Sequence, residues 1–184
     1  ATFGPERLNQ EIETFKKILK LSSDLNLPLF YLLKTRNNHF VTKKIKKYFK
    51  EYILKKKFYL IERNEDAYSH LNSSAIFFTN SSTLGFEAIS RKKKVIFLPL
   101  NNFPTKNYLR KYPKIGPFWT TNHNYSNILK MSKKIIKLNQ RKWSSIVNKN
   151  ISEIINFKPS NPELIKLLHK NKIELTKTHF TQTQ

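Results

Sequence analysis

Residues 74 to 100, SAIFFTNSSTLGFEAISRKKKVIFLPL, pass from an apolar segment through a polar turn and a short helical pattern into a second apolar segment. The same alternation runs through the preceding residues. LFYLLKT (29 to 35) and FYLIER (58 to 63) have the length and aromatic content of buried strands, with a basic helix from about Val41 to Leu54 between them. DAYSHL (66 to 71) has room for about two helical turns before the AIFFTN strand. Strands that alternate with helices in this way build a parallel sheet, so the expected fold is α/β, a Rossmann-like three-layer domain.

The flanking segments complete the domain. Leu8, Ile12, Phe15 and Leu19 recur at helical spacing over residues 6 to 25, and Asn26 and Pro28 end that helix. Residues 101 to 122 hold three of the eight prolines and one of the three glycines, which reads as a long loop, and loops of that length in compact domains commonly carry function. From Tyr125 to about Phe157 the pattern is helical again, with a break near Asn139, and a last helix starts near Pro162. No repeat or composition shift divides the chain. Residues 1 to 175 are expected to form one domain, and 176 to 184 a frayed tail.

Charge narrows the partners without naming one. A net charge of +23 draws polyanions, whether nucleic acid, an anionic membrane surface or a phosphorylated ligand. AT-rich coding sequence produces the same excess of Lys, Asn, Ile and Phe without any selection for binding. The chain has no cysteine, and its five histidines never fall at metal-ligand spacing, so neither a disulfide framework nor a metal site is expected. No long apolar run and no signal-peptide pattern is present, and the expected location is cytoplasmic, at most peripheral to the inner face of the membrane.

The turn Asn80-Ser81-Ser82-Thr83 sits where an α/β sheet binds ligands, between the carboxyl end of a strand and the N-terminus of a helix. Unpaired helix amides and three hydroxyls there suit an anion such as phosphate. Glu87 is four residues beyond Thr83 on the same helix face, about 6 Å along the axis. A carboxylate at that offset accepts hydrogen bonds from ribose hydroxyls, and Gly85 between the two allows close approach. The plainer alternative is that Ser82 and Thr83 cap a helix and Glu87 complements its dipole.

The segment SSAIFFTNSSTLGFEAISRKKKVIF resembles the donor-binding half of GT-B fold glycosyltransferases, most closely bacterial surface carbohydrate biosynthesis proteins, where a strand leads into S-T-L-G-[YF]-E-A. The resemblance extends in weaker form from Tyr68 of AYSHLNSS to GPFWTTN. It implies a nucleotide-sugar donor of unspecified base, with no tightly bound cofactor, held by Ser81, Ser82 and Thr83 at the phosphates and by Glu87 at the ribose, with Asn80 and Gly85 as further members of the donor site. Lys34 and Arg36, at the end of the first strand, would neutralise the diphosphate, or else lie on a solvated loop. It further implies a glycan or glycolipid acceptor and a separate N-terminal acceptor domain, since this chain is about half the length of a two-domain enzyme and by itself incomplete for catalysis.

No catalytic residue emerges. His39 and His70 are candidates for the cleft only by residue type, and Phe118 and Trp119 either line a pocket or pack. The competing function is a basic nucleic-acid-binding α/β module, suggested by KKYFKEYILKKKFYL, although its aromatics fall at core spacing and no RNP, zinc-finger or P-loop signature accompanies them.

Overall fold

Helical spacing in the first segment produces α1 (Pro5–Asp24), and its end is a specific structure. Asn26 adopts φ 51°, the left-handed region. The amide of Leu27 then reaches the Ser22 carbonyl at 2.9 Å, and that of Asn26 reaches Ser23 at 3.1 Å, the paired bonds of a Schellman cap. In this computed structural model the described residues are 5–32, 47, 50, 58–61, 66–80, 82–100 and 115–151. Apart from residues 47 and 50, the expected Val41–Leu54 helix lies outside them, as do the helix near Pro162 and the tail from 176.

Two parallel strand pairs follow the expected order. β1 (Leu29–Leu32) pairs with β2 (Phe58–Ile61), and β3 (Phe77–Thr79) pairs with β4 (Val95–Phe97), each in parallel register. Between them lie α2 (Ala67–Ser73) and α3 (Thr83–Ser90), and α4 (Tyr125–Lys137) and α5 (Gln140–Ile151) come last. The fold is therefore α/β with small parallel sheets, in the manner of a Rossmann-like domain.

Burial differs between the strands. Val95, Ile96 and Phe97 of β4 are wholly enclosed, as expected of a central parallel strand. β1 is only half-buried, contrary to the buried strand expected from LFYLLKT: Phe30 and Tyr59 are both exposed and stack across the β1–β2 pair at 4.8 Å. On α1 the core side runs through Ile12, Phe15 and Leu21, while Leu19 is half-buried.

The segment read as a loop also contributes to the sheet. Phe97 donates its amide to the Phe118 carbonyl at 2.9 Å and accepts from the Thr120 amide at 3.1 Å, so residues 118–120 lie beside β4 on the edge away from β3. Phe118 and Trp119 are buried in the core, which settles them as packing residues rather than pocket walls. Their position leaves no room at Gly116, where a Cβ would fall 2.0 Å from Trp119 Cε2. Residues 101–114 lie outside the described part.

The C-terminal helix pair closes the core from the other side. The break expected near Asn139 falls at residues 138–139, where the Asn139 side chain caps α5 by accepting from the Lys142 amide at 2.9 Å. Trp143 is fully buried edge-on to Phe118, centroids 5.7 Å apart, and its indole N–H donates to the Lys93 carbonyl at 3.1 Å.

Candidate site at the α2–α3 edge

α3 begins at the carboxyl end of β3, and its first turn is built by side chains on both sides of the junction. Ser82 is the N-cap, with extended backbone (φ −74°, ψ 148°), and its hydroxyl accepts from the Gly85 amide at 3.1 Å. Thr79 Oγ1 lies 2.8 Å from Ser82 Oγ and accepts from the Ser82 amide at 3.3 Å. Ser82 therefore performs the capping role, and the Thr83 side chain beside it is exposed. The amides of Gly85 and Phe86 reach the Ser82 carbonyl at 3.0 and 3.4 Å, so those of Thr83 and Leu84 precede the first intrahelical bonds.

Asn80 and Gly85 act in the frame of the site. Asn80 Oδ1 accepts from the Leu100 amide at 3.0 Å, fastening the residues after β3 to those after β4. Gly85 sits against β3, where a Cβ would meet Thr79 Cγ2 at 2.5 Å and Phe97 Cε1 at 3.2 Å. Its missing side chain lets α3 approach the sheet, a close approach made to the Thr79 and Phe97 side chains.

A neighbour of Glu87 comes from α2. Asp66 caps α2 by accepting from the Tyr68 and Ser69 amides at 2.9 and 3.1 Å, and this places Tyr68 on the edge facing α3. The Tyr68 hydroxyl donates to Glu87 Oε2 at 2.5 Å, while the Arg91 guanidinium lies 5.3 Å from the centre of its ring. The bond to Glu87, then burial and the carboxylate charge, hold the phenol above its ordinary range, with Arg91 opposing. The phenol is therefore protonated and a hydrogen-bond donor at neutral pH. The only trace of this in the sequence is that the family resemblance begins at Tyr68 of AYSHLNSS.

The arrangement offers an anion the start of α3 and offers a hydroxyl-bearing group a carboxylate already oriented by Tyr68. Glu87 is partly exposed and Thr83 exposed, so both are accessible from solvent. Ser81, Lys34, Arg36 and His39 lie outside the described residues. His70 packs its ring against Phe30, centroids 5.6 Å apart. Among the described residues no three His, Asp or Glu side chains are grouped as metal ligands, and no helix is long and apolar enough to cross a membrane.

Neither a curated protein nor a solved structure matches the chain. A family model described as "putative O-antigen biosynthesis protein" matches residues 15–172, which is most of the sequence, and the chain belongs to that family.

Proposed function

We propose that the α2–α3 edge binds the nucleotide diphosphate of a nucleotide-sugar donor, and that the chain is the donor-binding half of a GT-B glycosyltransferase in O-antigen polysaccharide biosynthesis. The observation that carries this is the Tyr68–Glu87 bond beside the open first turn of α3. The Thr83 and Leu84 amides and the Thr83 hydroxyl receive a phosphate, aided by the positive end of the helix. Ser82 holds that turn in shape, and Glu87 accepts from a ribose hydroxyl with its second oxygen. Ser81, Lys34 and Arg36, which lie outside the described residues, are the further candidates for contact with the diphosphate.

In the reaction an acceptor hydroxyl oxygen bonds to the anomeric carbon as the bond from that carbon to the diphosphate oxygen breaks. The electron pair leaves on the phosphate, and the acceptor proton passes to a base outside this edge. This chain contributes stabilisation of the departing anion, a task that preorganised dipoles and cations perform well. The test is thermal stability with UDP, GDP, CMP and ADP for the wild type and Glu87→Ala. At a hundred times its dissociation constant the correct nucleotide adds about 2.7 kcal/mol to the wild type, and distinctly less to the variant. Equal, negligible shifts with all four would overturn the proposal.

Charge distribution supports a peripheral contact with anionic lipid, where a glycolipid acceptor would be presented. From residue 88 to 152 the chain has fifteen Lys and Arg and no Asp or Glu. Lys130, Lys133, Lys134, Lys137, Arg141 and Lys142 are exposed on α4 and α5, while Phe118, Trp119 and Trp143 are buried and unable to stack on bases. Each well-placed cation contributes about 1 kcal/mol at an anionic surface. Co-sedimentation with phosphatidylserine vesicles but not phosphatidylcholine vesicles is the expected result, and tighter binding to RNA than to either would favour the nucleic-acid function.

A further inference from the structure

The end of the molecule opposite the α3 turn carries a group of cations. β4 is entered through Lys92, Lys93 and Lys94, and the corner between α4 and α5 folds over that turn. The Gln140 side-chain amide donates to the Lys92 carbonyl at 3.0 Å, and the Trp143 indole to the Lys93 carbonyl at 3.1 Å. The Lys94 ammonium donates to the Ile136 carbonyl, in the last turn of α4, at 2.7 Å. Lys134 and Lys137 in that last turn and Arg141 and Lys142 in the first turn of α5 are exposed around the same corner.

The charge of this group is not compensated locally. Among the described residues none of these side chains meets a carboxylate. Lys92 and Lys93 donate to Asn148 Oδ1 and to the Asn72 carbonyl, neutral oxygens like the one that holds Lys94. The carboxylates are engaged elsewhere: Asp24 accepts from Tyr125 at the start of α4, Glu87 accepts from Tyr68, and Asp66 caps α2.

Three of the cations stand where folding alone favours another residue. Lys92 follows α3 in the left-handed region, φ 61°, with its amide on the Ile89 carbonyl and the Lys93 amide on the Ala88 carbonyl, the Schellman position at which glycine or asparagine is favoured. An AT-rich coding bias enriches asparagine as well as lysine, so composition does not account for Lys92. Arg141 and Lys142 occupy the first turn of α5, where the helix dipole favours carboxylates and none is present. Lys134, Lys137 and Lys94 do complement the carboxyl end of α4. Local choices that oppose the fold and agree in sign point to a partner outside the chain.

Chemistry selects an anionic lipid surface. The aromatic rings under the corner, Phe118 and Trp143, are wholly buried and offer bases nothing to stack on, whereas attraction through charge alone is what an anionic bilayer requires. The α3 turn lies at the other end of α3, whose eight residues rise about 12 Å. That exceeds the roughly 8 Å over which a charged surface is felt at physiological salt. A bilayer resting on the corner therefore does not repel an anion held at the α3 turn.

We propose that the α4–α5 corner, with the turn between α3 and β4, is the surface by which the chain rests on an anionic bilayer, holding the carboxyl edge of the sheet away from the lipid. This rests on the lipid contact proposed above and names its face, and it stands whether or not the α2–α3 edge binds nucleotide. The experiment is binding of the whole chain to phosphatidylcholine vesicles containing phosphatidylserine. A corner variant (Lys134→Gln, Lys137→Gln, Arg141→Gln) is compared with an α1 variant (Lys16→Gln, Lys17→Gln, Lys20→Gln) of the same net charge, with circular dichroism to check that both fold. The corner variant is expected to bind roughly a hundredfold more weakly than the wild type, and the α1 variant severalfold at most.

A second measurement reads the orientation. The chain has no cysteine, so Gln140→Cys at the corner and Ser126→Cys at the far end of α4 each take a single fluorophore. Lipid with a spin label on its headgroup is expected to quench the dye at 140 strongly and the dye at 126 weakly. Equal quenching at the two positions, or equal losses in the two triple variants, would overturn the corner as the docking face and leave the lipid contact standing. No binding of the wild type to the anionic vesicles would overturn both. Tighter binding to RNA, lost in the corner variant, would give the corner to nucleic acid and overturn the proposal.

Discussion

The Tyr68 hydroxyl and Glu87 Oε2, nineteen residues apart in sequence, meet at 2.5 Å and tie α2 to α3 at the carboxyl edge of the β3–β4 pair. The bond orients a carboxylate that lies one turn inside the helix, and it leaves the helix start open. Tyr68→Phe is expected to cost less than about 1 kcal/mol of stability, because the pair is exposed to solvent. The same change should weaken nucleotide binding severalfold, since Glu87 is then free to turn away. Thermal unfolding and calorimetry on one sample separate the two effects.

Gly85 and Thr79 offer a paired test of how α3 is seated. A methyl at Gly85 meets Thr79 Cγ2, and the Thr79 side chain cannot rotate away without losing its contact with Ser82 Oγ. Gly85→Ala is expected to destabilise by about 1–3 kcal/mol. Adding Thr79→Ser removes the clashing carbon and keeps the hydroxyl, so the double variant should regain much of that loss. Additive losses would show that the two residues are not coupled.

Gly116→Ala is expected to be worse than Gly85→Ala, because the added carbon meets the Trp119 ring rather than one rotatable methyl. Trp119 is buried beside β4, so its displacement disturbs the pairing of 118–120 with Phe97. Tryptophan fluorescence during denaturant unfolding reports both the loss of stability and the altered indole environment.

Stability depends on pH at both ends of the range. The folded state disfavours protonation of His123, so the unfolded chain takes up more protons as pH falls below about 6.5, and stability is lost in that direction. At the alkaline end Tyr31 is pushed up to about 12 by burial and then by Glu11. Its contribution is complete below pH 10 and is lost as pH rises from 10 towards 12. His123→Asn should flatten the acid limb of a plot of unfolding free energy against pH, and Tyr31→Phe should reduce the alkaline limb, to which Tyr125 and Tyr68, held up by burial with Asp24 and by the bond to Glu87, also contribute.

Local signals in the sequence carried the elements they specify. The helical patterns located α1 and α3, Asn26 marked a helix end and Asn139 a helix break, and apolar runs between helices marked the strands of the parallel pairs. What the sequence concealed depends on distant partners. Phe118 to Thr120 join β4 through a few bonds in a proline-rich segment, too short for any strand periodicity. The exposure of Phe30 follows from what covers β1 rather than from its own residues. Of the candidate site, the turn before α3 and Glu87 could be proposed from the sequence because they are contiguous. The pairing of Tyr68 with Glu87 could not, since the two meet only where α2 lies beside α3.

The most direct test of the donor site is a double cycle between Glu87 and the ribose. Calorimetry would compare the preferred nucleoside diphosphate with its 2′,3′-dideoxy analogue, each on the wild type and on Glu87→Ala. If Glu87 grips the ribose hydroxyls, removing the hydroxyls costs the wild type affinity but costs the variant almost nothing, a coupling of about 0.5–3 kcal/mol. If the hydroxyls cost both proteins equally, Glu87 does not touch the ribose and the donor site as described is wrong.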